Sequence, residues 1–310
     1  MLEVVELTKR FKHKEAVKGI NFYMEKGETV GLLGPNGAGK STTISLISSL
    51  VQPTSGDVRL RNESVLKHPE KIRNILGVVP QDIALYMDLS ARENLEFFGR
   101  IHRIKKKDLK QRVEEVLDII GLKDREKDLV KTFSGGMKRR LNIGVALLHE
   151  PEMIIMDEPT VGIDPQSRNH ILETVKKLNS EKNISVLYTS HYMEEVEYLC
   201  DRIYIMDHGE VIASGTKDEI KSILSAEQSI VIQLELLKGE FLQRIESLPN
   251  VKSLSVKDPV VTVIVPKKAN ILNDIFRYAE ETNTSITSVQ IETPSIEDVF
   301  LHLTGRQLRD

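Results

Sequence analysis

From Leu2 to Leu7 apolar and acidic positions alternate, the period of a half-buried strand. A second strand-like run, Ile20–Met24, leads into the turn Glu25-Lys26-Gly27-Glu28 and then into the apolar run Thr29–Leu33. That run ends in a glycine-rich loop, Gly34 to Gly39, and Lys40–Leu50 follows as a helix with Ile44, Leu46 and Ile47 apolar. Strand, glycine loop, helix is the opening of an α/β fold. From Ser90 to Gly121 the period becomes helical. Ser90 with Glu93 makes a capping box, and Leu95, Phe98, Ile101 and then Leu109, Val113, Val116, Leu117 and Ile120 repeat at helical spacing. A further helix is predicted from Ser134 to about His149. Strands return at Met153–Met156, Ile184–Ser190 and Arg202–Met206, with a helix at Gln166–Asn179. This alternation predicts a parallel sheet with crossover helices.

The pattern changes again after about residue 225. Ser229–Leu236, Val251–Val256, Val260–Val265 and Ile286–Ile291 read as strands. Glu240–Leu248, Ala269–Glu281 and Ser295–Leu303 read as helices. The order β-α-β-β-α-β plus a last helix predicts a small α+β domain of ferredoxin-like arrangement. The expected division is therefore 1–222 and 223–310.

Composition narrows the function classes. Apolar residues make up 40% and charged residues 29%, as in an ordinary globular protein. A net charge of −3 argues against binding nucleic acid through bulk positive charge. With no Trp and 5% aromatic residues, a base-stacking platform is not expected either. One cysteine, Cys200, excludes an intrachain disulfide and suits a reducing compartment. No apolar stretch approaches the ~18–20 residues that cross a bilayer, and the N-terminus lacks the features of a secretory signal. Any membrane role is expected to run through a partner.

Gly34-Pro35-Asn36-Gly37-Ala38-Gly39-Lys40-Ser41 fits the P-loop pattern, with Thr42 following. Glycines let the backbone wrap closely, so that N–H groups point at phosphate oxygens, and the helix adds its positive end. Lys40 would reach the β- and γ-phosphates, and the Ser41 hydroxyl would bind Mg²⁺. A ligand-free glycine loop is the alternative, weakened by the strand before and the helix after. Met153–Met156 ends in Asp157-Glu158, the Walker B arrangement. There Asp157 would hold Mg²⁺ and Glu158 would polarise the attacking water. Ser134 caps a helix whose first amides belong to Gly135 and Gly136, an anion site with no side chain in the way.

These segments together resemble the ATP-binding-cassette (ABC) ATPases over residues 1 to about 220. Phe133-Ser134-Gly135-Gly136-Met137 corresponds to the family signature, with Met137 where Gln is usual. The stretch from Ser134 to Asp164, including Glu158-Pro159-Thr160-Val161-Gly162-Ile163-Asp164-Pro165, resembles the drug-resistance and type-2 exporter branch. The implied fold is a P-loop NTPase cassette with a RecA-like core, an antiparallel β subdomain and an α-helical subdomain, followed by the α+β domain. The implied activity is ATP hydrolysis, with ATP and Mg²⁺ as cofactors. Gln81 is similar to the Q-loop residue that touches Mg²⁺ or the lytic water; a surface loop glutamine is the plain alternative. Asp164 is similar to the D-loop aspartate and also suits the N-cap of the Pro165 helix. His191 is similar to the switch histidine on the γ-phosphate, and Phe11 to the aromatic that stacks on adenine. A structural histidine and a half-buried strand-end aromatic are the alternatives for these two.

In this family the P-loop of one cassette faces the signature of another. The resemblance thus implies an ATP-dependent head-to-tail dimer, with a second copy or a homologous cassette, and a separately encoded membrane permease. The permease contact is expected around Asp82 to Arg103. The chain is expected at the cytoplasmic face of a prokaryotic membrane, as the ATPase of an exporter of drugs, antibiotics or other hydrophobic cargo. No nucleic-acid partner is expected. The alternative is a soluble ABC ATPase acting on nucleic acid or the ribosome. That class usually has two cassettes or a coiled-coil insert, and this chain shows no sustained heptads. A small-molecule kinase would leave the signature helix and His191 unexplained. The ending Glu292-Thr293-Pro294-Ser295-Ile296-Glu297-Asp298-Val299-Phe300-Leu301 resembles the tail of type-2 exporter ATPases with an accessory domain.

Overall fold

The computed structural model describes residues 1–12, 14–190, 192–224, 227–292 and 295–305. They divide into two compact units, Met1–Lys217 and Asp218–Gly305. Along the first run β1 (Leu2–Phe11), β2 (Lys14–Met24), β3 (Thr29–Leu33), α1 (Lys40–Ile47), β4 (Ser55–Leu60), β5 (Glu63–Ser64), α2 (Pro69–Ile75) and β6 (Leu76–Val79). Then come α3 (Ala91–Ile101), α4 (Lys106–Ile119), α5 (Gly135–Leu147), β7 (Met153–Asp157), α6 (Pro165–Lys182), β8 (Ser185–Thr189), α7 (Met193–Leu199), β9 (Arg202–Asp207) and β10 (Glu210–Thr216).

A six-stranded sheet has the order β10-β9-β3-β8-β7-β6. All its pairs are parallel except β9–β10. Every residue of β3, β7 and β8 is buried, which is why these strands read as unbroken apolar runs. A second sheet, β2-β1-β4-β5, is antiparallel. Its inward side chains, among them Leu2, Val4, Leu7, Val17 and Phe22, share one core with Leu32, Ile44, Ile47, Ile155 and Met206. The neighbours β3, β8 and β7 run in parallel, so Leu33, Thr189 and Asp157 end on one edge of the sheet. Ligands of open α/β sheets bind at that edge.

The helical pattern from Ser90 to Gly121 is two helices rather than one. The capping box at Ser90 starts α3 as the spacing predicts. The helix closes after Ile101 in a Schellman turn: Ile104 N–H donates to Gly99 O at 3.0 Å, Arg103 N–H donates to Arg100 O at 2.9 Å, and Arg103 takes φ +60°. Arg103 stands where a glycine would have announced the stop. Helix α1 ends at Ile47, three residues short of the expected Leu50, with Ser49 at φ +56°.

Helix α8 (Lys217–Ser222) leads into the second unit, which contains β11 (Glu227–Leu234), α9 (Gly239–Glu246), β12 (Ser253–Lys257), β13 (Val260–Pro266), α10 (Leu272–Glu281), β14 (Ile286–Glu292) and α11 (Ile296–Thr304). Its sheet has the order β12-β13-β11-β14, antiparallel throughout. This is the split β-α-β order expected from the strand and helix pattern. Ile230, Ile232, Phe241, Ile245, Val261, Val263 and Ile275 form a core of its own. Among the described residues no helix is long and apolar enough to cross a membrane.

Candidate functional site: a P-loop cleft at the sheet edge

The loop between β3 and α1 is shaped by close approaches. A Cβ at Gly34 would overlap the Met206 carbonyl oxygen. Gly39 has φ +108°, and a Cβ there would lie 2.5 Å from Ala16 O. No side chain caps α1, and no acidic residue stands in its first turn, so its leading N–H groups are left for a ligand. The turn after β9 braces the loop, with Gly209 N–H donating to Ala38 O at 3.0 Å.

Lys40 is only 5% exposed. Its Nζ donates to Gly34 O at 2.7 Å and to Pro35 O at 3.3 Å, and lies 3.7 Å from Glu158 Oε1. Burial lowers its pKa from the usual lysine range, while Glu158 and Asp157 oppose that shift. Asp157 closes β7, Glu158 follows it, and both are buried. Glu158 has φ +48°, uncommon for a side-chain-bearing residue. Thr189 Oγ1, at the end of β8, donates to Asp157 Oδ1 at 2.8 Å and accepts from Glu158 N–H at 2.9 Å. From the other side Gln81 Nε2 donates to Glu158 Oε2 at 3.1 Å.

A cleft of about 320 Å³ is lined by Phe11, Lys14, Ala16, Asn36–Thr42, Gln81 and Glu158. It brings together Phe11, Gln81, Glu158 and most of the P-loop. Phe11 is 46% exposed at the end of β1, a ring free to receive a flat group, with Lys9 Nζ 5.0 Å from its centroid. The positive loop, the buried lysine and the carboxylate opposite can hold a polyphosphate and order a water at its terminal phosphorus.

Ser134–Met137 and Asp164 lie outside this cleft. Ser134 caps α5, its Oγ accepting from Met137 N–H at 3.3 Å. Ser134 and Gly135 are exposed and Gly136 is buried. A Cβ at Gly136 would overlap Ser167 of α6 and lie 3.5 Å from Asp164 Oδ2. Asp164 caps α6 by accepting from Ser167 N–H at 2.9 Å, and that bond lowers its pKa. The signature turn and the Asp164 turn therefore form one exposed corner. His191 lies outside the described residues.

Sequence reasoning missed three residues that shape the site. Thr189 holds Asp157 at the end of β7 and Glu158 just beyond it. Arg139 grips the segment that carries Gln81. Glu195 is fully buried and accepts from Thr160 Oγ1 at 2.9 Å, Tyr188 OH at 2.9 Å, Ser190 Oγ at 2.5 Å and Arg168 Nε at 2.6 Å. All three act across the fold, so spacing along the chain does not reveal them.

The model of the ABC transporter family matches residues 17–161. The model of the C-terminal domain of DrrA1-3-like ATP-binding proteins matches residues 215–304. The linearmycin resistance ATP-binding protein LnrL of Bacillus subtilis is 48% identical, with all of both chains covered. The chain belongs to the ABC transporter ATP-binding proteins. It is thus an ABC ATPase with a P-loop NTPase cassette followed by a DrrA-like α+β domain. Two solved cassettes are similar to it. The dimeric post-hydrolysis structure of MJ0796 with ADP and phosphate is 29% identical, at a TM-score of 0.64, covering 70% of this chain and 98% of that one. CbiO1 of Clostridium perfringens, part of the transporter complex CbiONQ, is 29% identical, at a TM-score of 0.66, covering 71% of this chain and 89% of that one. This membership favours the transporter ATPase over both the nucleic-acid alternative and the kinase.

Proposed function

We propose that this cassette powers an exporter of antibiotics or other hydrophobic compounds at the cytoplasmic face of a membrane. It does so through an ATP-dependent head-to-tail dimer on a separate permease, with residues 1–222 as the motor and 223–310 as an accessory domain. The observation that carries the reading is Glu158, buried across the P-loop cleft within 3.7 Å of Lys40 and bonded to Gln81. The end-to-end match to LnrL, a linearmycin resistance protein, supports the cargo class and the outward direction.

Phe11 stacks on the base, and Gly34–Thr42 wrap the phosphates. Lys40 exchanges its carbonyl contacts for the β- and γ-phosphates. Glu158, oriented by Gln81 and Thr189, polarises the attacking water, with His191 at the γ-phosphate. The exposed amide end at Ser134–Met137, with Asp164 beside it, meets the γ-phosphate held by the other copy and supplies charge stabilisation there. The donors Ser41, Gln81 and Asp157 are oxygens of one carboxylate, one hydroxyl and one amide. That set suits Mg²⁺, which keeps several waters and takes its remaining ligands from phosphates. When bound, Mg²⁺ neutralises charge on the β- and γ-phosphate oxygens.

The proposed permease contact is the segment from Asp82 to Arg103. Tyr86, 50% exposed, packs against Phe97 with centroids 4.7 Å apart, and Phe97 against Phe98 at 5.4 Å. Tyr86 lies in the segment between Gln81 and α3, and Phe97 and Phe98 lie on α3.

The test is light scattering and ATPase measurement on the full chain. Glu158→Gln binds ATP, turns over at least 100-fold more slowly than wild type, and becomes a dimer with Mg-ATP. Lys40→Ala abolishes hydrolysis and does not dimerise. Wild-type turnover by either variant defeats the site assignment. ATP-bound Glu158→Gln that stays monomeric even with its permease defeats the composite dimer.

A further inference from the structure

The helix that begins at the signature turn also holds the loop carrying Gln81. Arg139, in the second turn of α5, is 4% exposed. Its Nη1 donates to Pro80 O at 2.7 Å and its Nη2 to Gln81 O at 2.6 Å. One rigid fork thus spans two successive main-chain carbonyls, a geometry that lysine cannot reproduce. Three residues on, along the same face of α5, Asn142 Nδ2 donates to Asp82 O and Asn142 Oδ1 accepts from Ala84 N–H, both at 3.3 Å. The side chain of Gln81 in turn donates to Glu158 Oε2.

Burial of a guanidinium is costly unless hydrogen bonds and opposite charge offset it, and Arg139 has two such bonds to main-chain carbonyls. Desolvation lowers the Arg139 pKa, with Asp82 and Asp157 opposing it. Two strong donors on the backbone at Gln81 fix where its side chain starts. Gln81 has three side-chain torsions of its own, so an unfixed backbone would let Nε2 wander by more than a hydrogen-bond length.

We infer that Arg139 is the positioning residue for Gln81: it ties the signature helix to the Glu158 contact, so that α5 and the Gln81 loop shift as one piece. Engagement of Ser134–Gly136 by a second copy then alters the Gln81–Glu158 geometry of the copy that donates the signature. Arg139 does not line the P-loop cleft, and its effect is on rate rather than on binding. The inference rests on the ATPase reading above.

The experiment is a double-mutant cycle on the full chain, with Arg139→Lys, Gln81→Ala and the pair. ATP affinity, single-turnover hydrolysis and melting temperature are measured for each. Wild type hydrolysing Mg-ATP, with Glu158→Gln inactive, establishes the ATPase reading independently. Arg139→Lys is expected to keep ATP affinity within twofold and to lose about 10- to 100-fold in hydrolysis. On the Gln81→Ala background the same change is expected to lose less than threefold, since the side chain it positions is gone. Asn142→Ala, which frees the chain beyond Gln81, is expected to lose far less. Should Arg139→Lys fail to fold, Arg139→Gln, which retains one donor, takes its place in the cycle. Wild-type hydrolysis by the folded variant, or losses that multiply with Gln81→Ala, overturns the inference.

Discussion

At Thr189 a single hydroxyl serves two acidic residues at once, donating to the Asp157 carboxylate and accepting the Glu158 main-chain N–H. Valine has nearly the same shape and neither function. Thr189→Val removes the acceptor of a buried N–H and one donor from a buried carboxylate. It is expected to cost about 1–3 kcal/mol of stability, read from urea denaturation, and to slow ATP hydrolysis at unchanged ATP affinity. Wild-type stability and turnover would mean that Asp157 and Glu158 hold their places without it. The contrast with Lys40 shows what the sequence makes legible. Lys40, Ser41, Asp157 and Glu158 sit in short contiguous patterns whose chemistry follows from order and spacing. Thr189 acts on positions more than thirty residues away, and its place opposite Asp157 is set by the β7–β8 register. No local pattern encodes that register.

Two predictions concern how elements meet. Helix α5 starts against the start of α6 at Gly136, where a Cβ would overlap the Ser167 Cβ as well as its hydroxyl. A rotamer change at Ser167 relieves only the hydroxyl, so Gly136→Ala must move one helix end. It is expected to cost about 1–3 kcal/mol and to impair ATP-dependent dimerisation, with Ser167→Gly restoring part of both. No restoration would place the cause at the helix end itself. The second prediction lies where α3 and α5 end. His102 and His149 stack with centroids 4.2 Å apart and rings 6° from parallel. His149 Nε2 is 3.0 Å from Leu76 O, while its Nδ1 is buried without a partner. Burial first, then His102, pushes the His149 pKa down to about 4. Between the ordinary histidine value of about 6.5 and about 4 the unfolded chain binds the proton more readily. Stability is therefore fully present above about 6.5 and falls as the pH drops through that window. Discounted for its partial exposure, the loss is about 1 kcal/mol. His149→Gln is expected to flatten the difference in urea midpoint between pH 7.5 and pH 4.5; an unchanged difference would assign the acid sensitivity to other groups. The fold at this scale was legible where periodicity ran long, as in α3, α4 and the second unit. It was illegible where Arg103 and Ser49 ended helices in a conformation that glycine usually signals, and in short strands such as β5 and β6.

At the scale of the molecule, each unit has a hydrophobic cluster of its own. The core that joins the two sheets of the first unit draws on residues from Leu2 to Met206, and that of the second on residues from Ile230 to Ala279. A hydrophobic core that closes on itself lets its segment fold alone. The cleft lined by Phe11, the P-loop, Gln81 and Glu158 belongs wholly to the first. A chain ending at residue 222 is therefore expected to bind Mg-ATP with an affinity within about threefold of the full chain, equivalent to less than about 0.7 kcal/mol. It is also expected to unfold in a single transition. Residues 223–310 alone are expected to show a cooperative melt, since their four-stranded sheet is covered by α9 and α10 from within the same unit. Loss of nucleotide binding in the shorter chain would mean that the second unit completes the first. Retained binding with lost ATP-dependent dimerisation would make residues 223–310 a dimer support. Retained binding and dimerisation would leave them free to act on the permease, and a complex formed from the two chains with and without those residues separates the last two cases directly.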